Sequence, residues 1–312
     1  MFDNALLALV VIVLIVLFRF HKSVRKGYRY ASQQAAPIRS KVLPVPQVYR
    51  DILLKYFRYY QQLLPADRAR FERKVANFIG GKVFIPRGVS EVTIEARVLI
   101  AAAAVQLTFG LKDVRLDHFR RILVYPNDYY SSITKRYHRG EVNPRFGMIV
   151  LSWQSFIDGY ITPGDSVNVG LHEMAHALRL ENILRSEDFP PFFDDTLLMQ
   201  FDDFGLDFCR QTVVNPERFF RPYACTNPEE FFAVAVENFF ERPAQFRREF
   251  PEIYSVMMRL LNQDPLQPDK KPLVNGGPPS SAEATAGKPP QAGSTSWPGP
   301  DQGSIAADPK VE

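Results

Sequence analysis

The stretch Val167-Asn-Val-Gly-Leu-His172-Glu173-Met-Ala-His176-Ala-Leu178 decides how this chain of 312 residues is read. Histidines four positions apart share one face of a helix, one turn from each other, so both imidazoles reach a single ion. Glu173 follows the first of them and can take a proton from a water that the ion activates. Val169, Gly170, Leu171, Met174, Ala175, Ala177 and Leu178 carry no charge, as a helix buried beneath a cleft requires.

Two other readings of the same letters fail on detail. Glu173-x-x-His176 is half of a di-iron bundle motif, but the chain holds no second Glu-x-x-His. A site completed by a histidine six residues on needs glycine at 179 and histidine at 182, where Arg179 and Asn182 stand. No histidine follows His176, so a carboxylate or a cysteine must complete the site. The acidic run from Glu181 to Asp207, with Glu187, Asp188, Asp194, Asp195, Asp202 and Asp203, reads as a solvated face too near the motif to fold back. Thr226-Asn-Pro-Glu-Glu230-Phe-Phe-Ala-Val-Ala-Val-Glu237-Asn-Phe-Phe240 is better placed. Asn227 can cap a helix there and Pro228 suits its first position. Glu230, Ala233, Val234 and Glu237 then share one face. Two glutamates on an otherwise apolar face are costly to bury unpaired, and a metal removes that cost. On spacing alone, Glu230 is equally a ligand or a capping-box residue reaching back to Asn227.

Outward from the motif, residues 48–63 and 67–79 show helical spacing of Leu, Tyr, Phe and Val. Lys82-Val-Phe-Ile-Pro86 predicts a short strand, and 91–107 a helix whose Ala101–Ala104 centre admits a close neighbour. Residues 121–125 and 148–153 predict strands, with 137–144 as a loop or hairpin between them, and beyond Ser166 the pattern is helical almost throughout. A small sheet beside a larger set of helices is an α+β domain. It spans 46–264 as one unit without internal repeats.

Both ends read differently. Residues 265–312 hold ten of the 25 prolines and six of the 17 glycines, a composition expected to stay disordered. Residues 5–18 are fourteen unbroken apolar residues; flanked by Met1, Phe2 and Arg19, they predict one membrane-spanning helix within 1–20. Residues 21–45 read as a basic juxtamembrane linker. The pI near 9.0 suggests nucleic acid, but eight basic residues against Asp3 put +7 into residues 1–50. Set against a formal net charge of +4, that leaves the remainder at −3, so the basicity is local and nucleic acid is not expected as a partner. Positive charge after the apolar run places the body in the cytoplasm, at the inner face of the membrane, where the basic stretch suits anionic headgroups. Two cysteines, Cys209 and Cys225, give no disulfide framework and suit a reducing compartment.

The motif, followed some fifty residues later by Tyr223-Ala-Cys-Thr-Asn-Pro-Glu-Glu230-Phe-Phe-Ala-Val-Ala-Val-Glu237, resembles the Mlc titration factor A family of zinc-dependent peptidases. The likeness includes Ile122–Pro126, Ile149–Trp153 and the helical stretch from Leu63 to Leu111, and covers nearly the whole body and neither end. It implies a predominantly helical, zincin-like domain related in fold to the catalytic domain of anthrax lethal factor. It implies His172, His176 and Glu230 as ligands of one zinc ion, Glu173 as general base, Tyr223 as a tyrosine steadying the oxyanion, and Glu237 as a carboxylate orienting a ligand histidine. The implied substrate is a peptide or protein. Where the family usually carries an aspartate shortly after the second histidine, this chain has Arg179. The family's name, which refers to binding a sugar-uptake repressor, implies a rival role: a membrane-tethered protein that sequesters a transcriptional regulator. Fourteen of the 25 phenylalanines fall between Phe189 and Phe250 and read first as core, second as a partner surface.

Overall fold

The computed structural model describes residues 45–131, 135–162, 164–185, 191–212 and 219–267. The expected membrane-spanning helix, nearly all of the basic linker and most of the Pro/Gly-rich tail lie outside these residues. Among the described residues, no helix is long and apolar enough to cross a membrane. They are mostly helical with a small sheet, the α+β class expected.

Residues 48–63, expected as one helix, form two, α1 (Gln47–Tyr56) and α2 (Arg58–Gln62). The break falls at Phe57, whose backbone is extended and whose buried ring packs 5.3 Å from that of Tyr160 and 6.0 Å from that of Phe71. Burying this ring is worth more than continuing a helix that has no cap at this point. α3 (Pro65–Gly80) carries Phe71 and Glu72. Arg50 reaches across from α1 and donates to both carboxylate oxygens of Glu72, at 3.1 and 2.8 Å.

β1 (Val83–Pro86) and β2 (Arg121–Tyr125) pair in parallel, joined by the crossover helix α4 (Ile94–Thr108). Thr93 caps α4 by accepting from the Ala96 amide at 3.2 Å. Ala96 and every residue from Val98 to Thr108 are buried, which is why α4 is apolar on all sides. A short hairpin of β3 (Tyr129–Ser131) and β4 (Arg136–His138) follows, then β5 (Gly140–Asn143) and β6 (Met148–Ser152). β6 pairs in parallel with β2 and antiparallel with β5, giving the order β1-β2-β6-β5 with β5 at the edge. The expected loop or hairpin at 137–144 thus supplies the sheet's edge strand.

The rest is helical: α5 (Trp153–Ile161), α6 (Val169–Leu184), α7 (Asp195–Thr212), a 3-10 turn (Pro222–Cys225), α8 (Pro228–Glu241), α9 (Pro243–Glu249) and α10 (Pro251–Leu261). α6 packs against α4, α5, α8 and the β5–β6 side of the sheet. Phe201, Phe220, Phe231, Phe232, Phe239 and Phe246 are wholly buried in the core, so these phenylalanines follow the first of the two readings.

The cysteines correct the sequence reading. Cys209, near the end of α7, and Cys225, at the end of the 3-10 turn, form a disulfide across a sequence separation of 16. Their count no longer argues for a reducing compartment. Two cysteines at this spacing carry no pairing signal; the packing of α7 against the 3-10 turn brings them together. The cross-link ties α7 to the turn that leads into α8. Replacing both by serine should lower the unfolding free energy by about 3 kcal/mol through loop entropy. Urea denaturation of both proteins checks this; a loss near zero means the bridge constrains nothing.

Candidate metal centre

α6 starts at Asn168, whose side chain accepts from the Leu171 amide at 2.9 Å. Gly170 lets the helix lie against α5, since a Cβ there would stand 2.5 Å from the Phe156 ring. One turn on, His172 and His176 project together, with Nε2 atoms 3.1 Å apart. Glu230 Oε2, from the first turn of α8, lies 3.1 Å from His172 Nε2 and 3.2 Å from His176 Nε2. Among the described residues these three form the histidine–carboxylate group that could hold a metal ion.

The donor set fits one. Ligand atoms held tetrahedrally at about 2.0–2.1 Å from zinc stand roughly 3.3 Å from each other, close to the spacing of these three. The tautomers agree. His172 Nδ1 lies 2.5 Å from Glu237 Oε1, and with a metal bound the ring proton held there would leave the Nε2 lone pair to face the ion. Burial disfavours charge on His172, but Glu237, Glu230 and Glu173 outweigh it and lift its pKa to about 10. A pocket field that strong for a proton also favours a divalent cation. Burial also works against the Glu230 carboxylate, and its contacts to His172 and His176 overcome this and hold it well below the usual carboxylate range.

The two readings of Glu230 resolve at its side chain. Its amide donates to Asn227 Oδ1 at 2.8 Å, a bond that both readings share, and its carboxylate stands with Oε2 3.1 and 3.2 Å from the two histidines. Glu237, two turns further along α8, is wholly buried. It accepts from the Asn168 amide at 3.0 Å and from Arg221 at 2.8 and 2.9 Å. Arg221 is absent from the sequence reading. A lone arginine before the 3-10 turn has no spacing relation to the motif, and only the fold brings it to Glu237.

Glu173 is buried beside the ligands, and desolvation raises its carboxyl above the ordinary value while His172 and His176 pull it back. Its roof is β5. A Cβ on Gly140 would stand 2.5 Å from Glu173 Cγ and Oε1, so the edge strand approaches because residue 140 is glycine. Tyr223 is half-exposed on the 3-10 turn, its ring centroid 6.0 Å from that of His172. Burial and the Glu230 carboxylate raise its hydroxyl pKa. The structure therefore brings all six sequence-derived residues, His172, Glu173, His176, Tyr223, Glu230 and Glu237, to one place.

The acidic run needs correction in two places. Glu181 is buried, accepting from the His118 amide at 3.0 Å. Asp202 leaves the solvated face to accept from the buried Arg179 at 2.7 Å. Arg179, the departure from the family pattern, meets its acid on α7 instead of carrying one on α6.

Comparison with known proteins agrees with this geometry. The family described as glucose-regulated metallo-peptidase M90 matches residues 30–261. An uncharacterized protein of Synechocystis sp. is 28% identical over 248 residues, covering 72% of this chain and 86% of its own. A Mlc titration factor A of Yersinia pestis is 30% identical over 187 residues, covering 55% of this chain and 68% of its own. A protein of the same name from Yersinia pseudotuberculosis shows the same identity and coverage.

Gly140→Ala tests the roof over Glu173. The added methyl must displace the buried Glu173 side chain, while His172, His176 and Glu230 are untouched. Metal affinity measured by calorimetry should stay within about twofold, and the unfolding free energy read by urea denaturation should fall by about 1–3 kcal/mol, the usual cost of overpacking a buried site.

Proposed function

We propose that this chain, which belongs to the glucose-regulated metallo-peptidase M90 family, is a zinc-dependent peptidase whose body is held at the membrane by its N-terminal segment. The observation that carries the activity is the convergence of His172, His176 and Glu230 beside a buried Glu173. Zinc is the ion that two imidazoles and one carboxylate suit. When bound, it supplies Lewis-acid polarisation of a peptide carbonyl and lowers the pKa of water toward ~7.

The chain's own residues do the rest. Glu173, with its carboxyl raised by burial, takes the proton from the attacking water and later delivers it to the leaving amine. The Tyr223 hydroxyl, kept protonated by its surroundings, donates to the oxyanion as the carbonyl carbon becomes tetrahedral. Glu237 holds the His172 ring in the orientation and tautomer that ligation needs. The membrane reading rests on the apolar run 5–18 and the basic residues that follow it.

A second reading has one observation in its favour: the relatives named Mlc titration factor A are named for titrating Mlc. In that reading this chain binds a transcriptional regulator, and its hydrolysis is weak or vestigial. Pull-down of a candidate regulator with and without a chelator separates the readings, since pure binding is indifferent to zinc.

Glu173→Gln should keep stoichiometric zinc and lose peptide hydrolysis, whereas Glu230→Ala should lose the zinc. Elemental analysis with a peptide-library assay reads both. Hydrolysis surviving in Glu173→Gln, or a wild-type protein that takes up no zinc, removes the peptidase reading.

A further inference from the structure

We infer that Arg221 is a positioning residue that sets the metal affinity of this site through Glu237 and His172. The inference rests on the metal-site reading above and adds a member that no spacing in the sequence reveals. Arg221 Nη1 donates to Glu237 Oε2 at 2.8 Å and Nη2 to Oε1 at 2.9 Å, a two-pronged contact that fixes the plane of the carboxylate. Nη1 also donates to the Ser166 carbonyl at 2.8 Å, which ties the guanidinium to the segment leading into α6. Nη2 stands 3.3 Å from His172 Nδ1, so the arginine, the glutamate and the ligand histidine are in mutual contact.

The need for this contact follows from burial. Glu237 has no exposed surface, and an ionised carboxylate in that position requires compensation by charge and by hydrogen bonds. Among the described residues, its ion-pair partners are Arg221 and His172 alone. If His172 is to remain a neutral ligand, the lasting positive charge has to come from Arg221. The fork keeps Glu237 acceptor-only and aimed at His172 Nδ1–H, which leaves Nε2 free for the ion. Without it, the Glu237 carboxylate can turn away, and nothing then holds the imidazole in the ligating orientation. Arg221 also lies 5.8 Å from the Tyr223 ring, so one side chain connects the ligand histidine with the turn that presents the tyrosine.

The test is zinc affinity of the full-length protein, measured by competition with a chromophoric chelator. Arg221→Met should weaken zinc binding by about 10–100-fold, the usual effect of removing a partner behind a ligand. Arg221→Lys should recover part of the loss, because an ammonium restores charge without the fork. Combined with Glu237→Gln, Arg221→Met should add no further loss, since both changes break one path. Zinc affinity within twofold of wild type in Arg221→Met, or losses that simply add in the double variant, overturn the inference. If Arg221→Met does not fold, Arg221→Lys decides alone: weakened zinc binding supports the role and wild-type affinity refutes it. A purely structural arginine would lower the melting temperature and leave zinc affinity unchanged. A wild-type protein that binds no zinc refutes the metal-site reading itself, which keeps the two failures apart.

Discussion

The buried carboxylate of Glu237 is the constraint around which the site is arranged. Its two oxygens collect the Asn168 amide at the head of α6, the guanidinium of Arg221 before the 3-10 turn, and the ring of His172 within α6. An ionised group with no exposed surface costs several kcal/mol if left unpaired, so these donors are drawn together as the helices pack. Once α6 and α8 are locked at this point, Glu230, two turns earlier on α8, stands opposite His172 and His176. The spacing of the candidate ligands is thus fixed from behind, by a residue that touches no ion.

The opposite wall has its own requirement. The edge strand β5 runs over Glu173 at a distance only glycine permits, and the same strand is hydrogen-bonded antiparallel to β6. Register in a sheet is stiff, because a slip of one residue turns every side chain to the other face. The position of Gly140 above Glu173 is therefore secured by a register that runs from the pairing of Gly140 with Leu151 to that of Asn143 with Met148. A helical floor and a sheet roof give Glu173 a rigid setting.

On the third side, the disulfide between Cys209 and Cys225 and the edge-on and tilted phenylalanine contacts among Phe208, Phe220 and Phe250 fasten the turn bearing Tyr223 to α7. Arg179 serves a similar purpose nearer the motif, joining α6 to α7 through Asp202. Local spacing could not predict either contact. Both join segments more than a dozen residues apart, and neither a lone arginine nor two cysteines carry a periodic signal. The same holds for the break at Phe57, where helical periodicity runs on but an aromatic core claims the ring.

The sequence by itself determined where a metal-binding pair of histidines could lie. Histidines at positions i and i+4 must share a helix face, the uncharged residues around them call for burial, and Asn-Pro before Glu230 favours the start of another helix; these are local rules. It determined three of the main sheet's four strands too, through runs of β-branched and apolar residues, whereas the edge strand Gly140–Asn143 carries no such run. Only the tertiary structure decided that Glu230 faces the histidines instead of capping its own helix, that Glu237 lies behind His172, and that Arg221 lies behind Glu237. The physical reason is the price of burying charge: it is set by what surrounds a group in space, and neighbours along the chain do not reveal it.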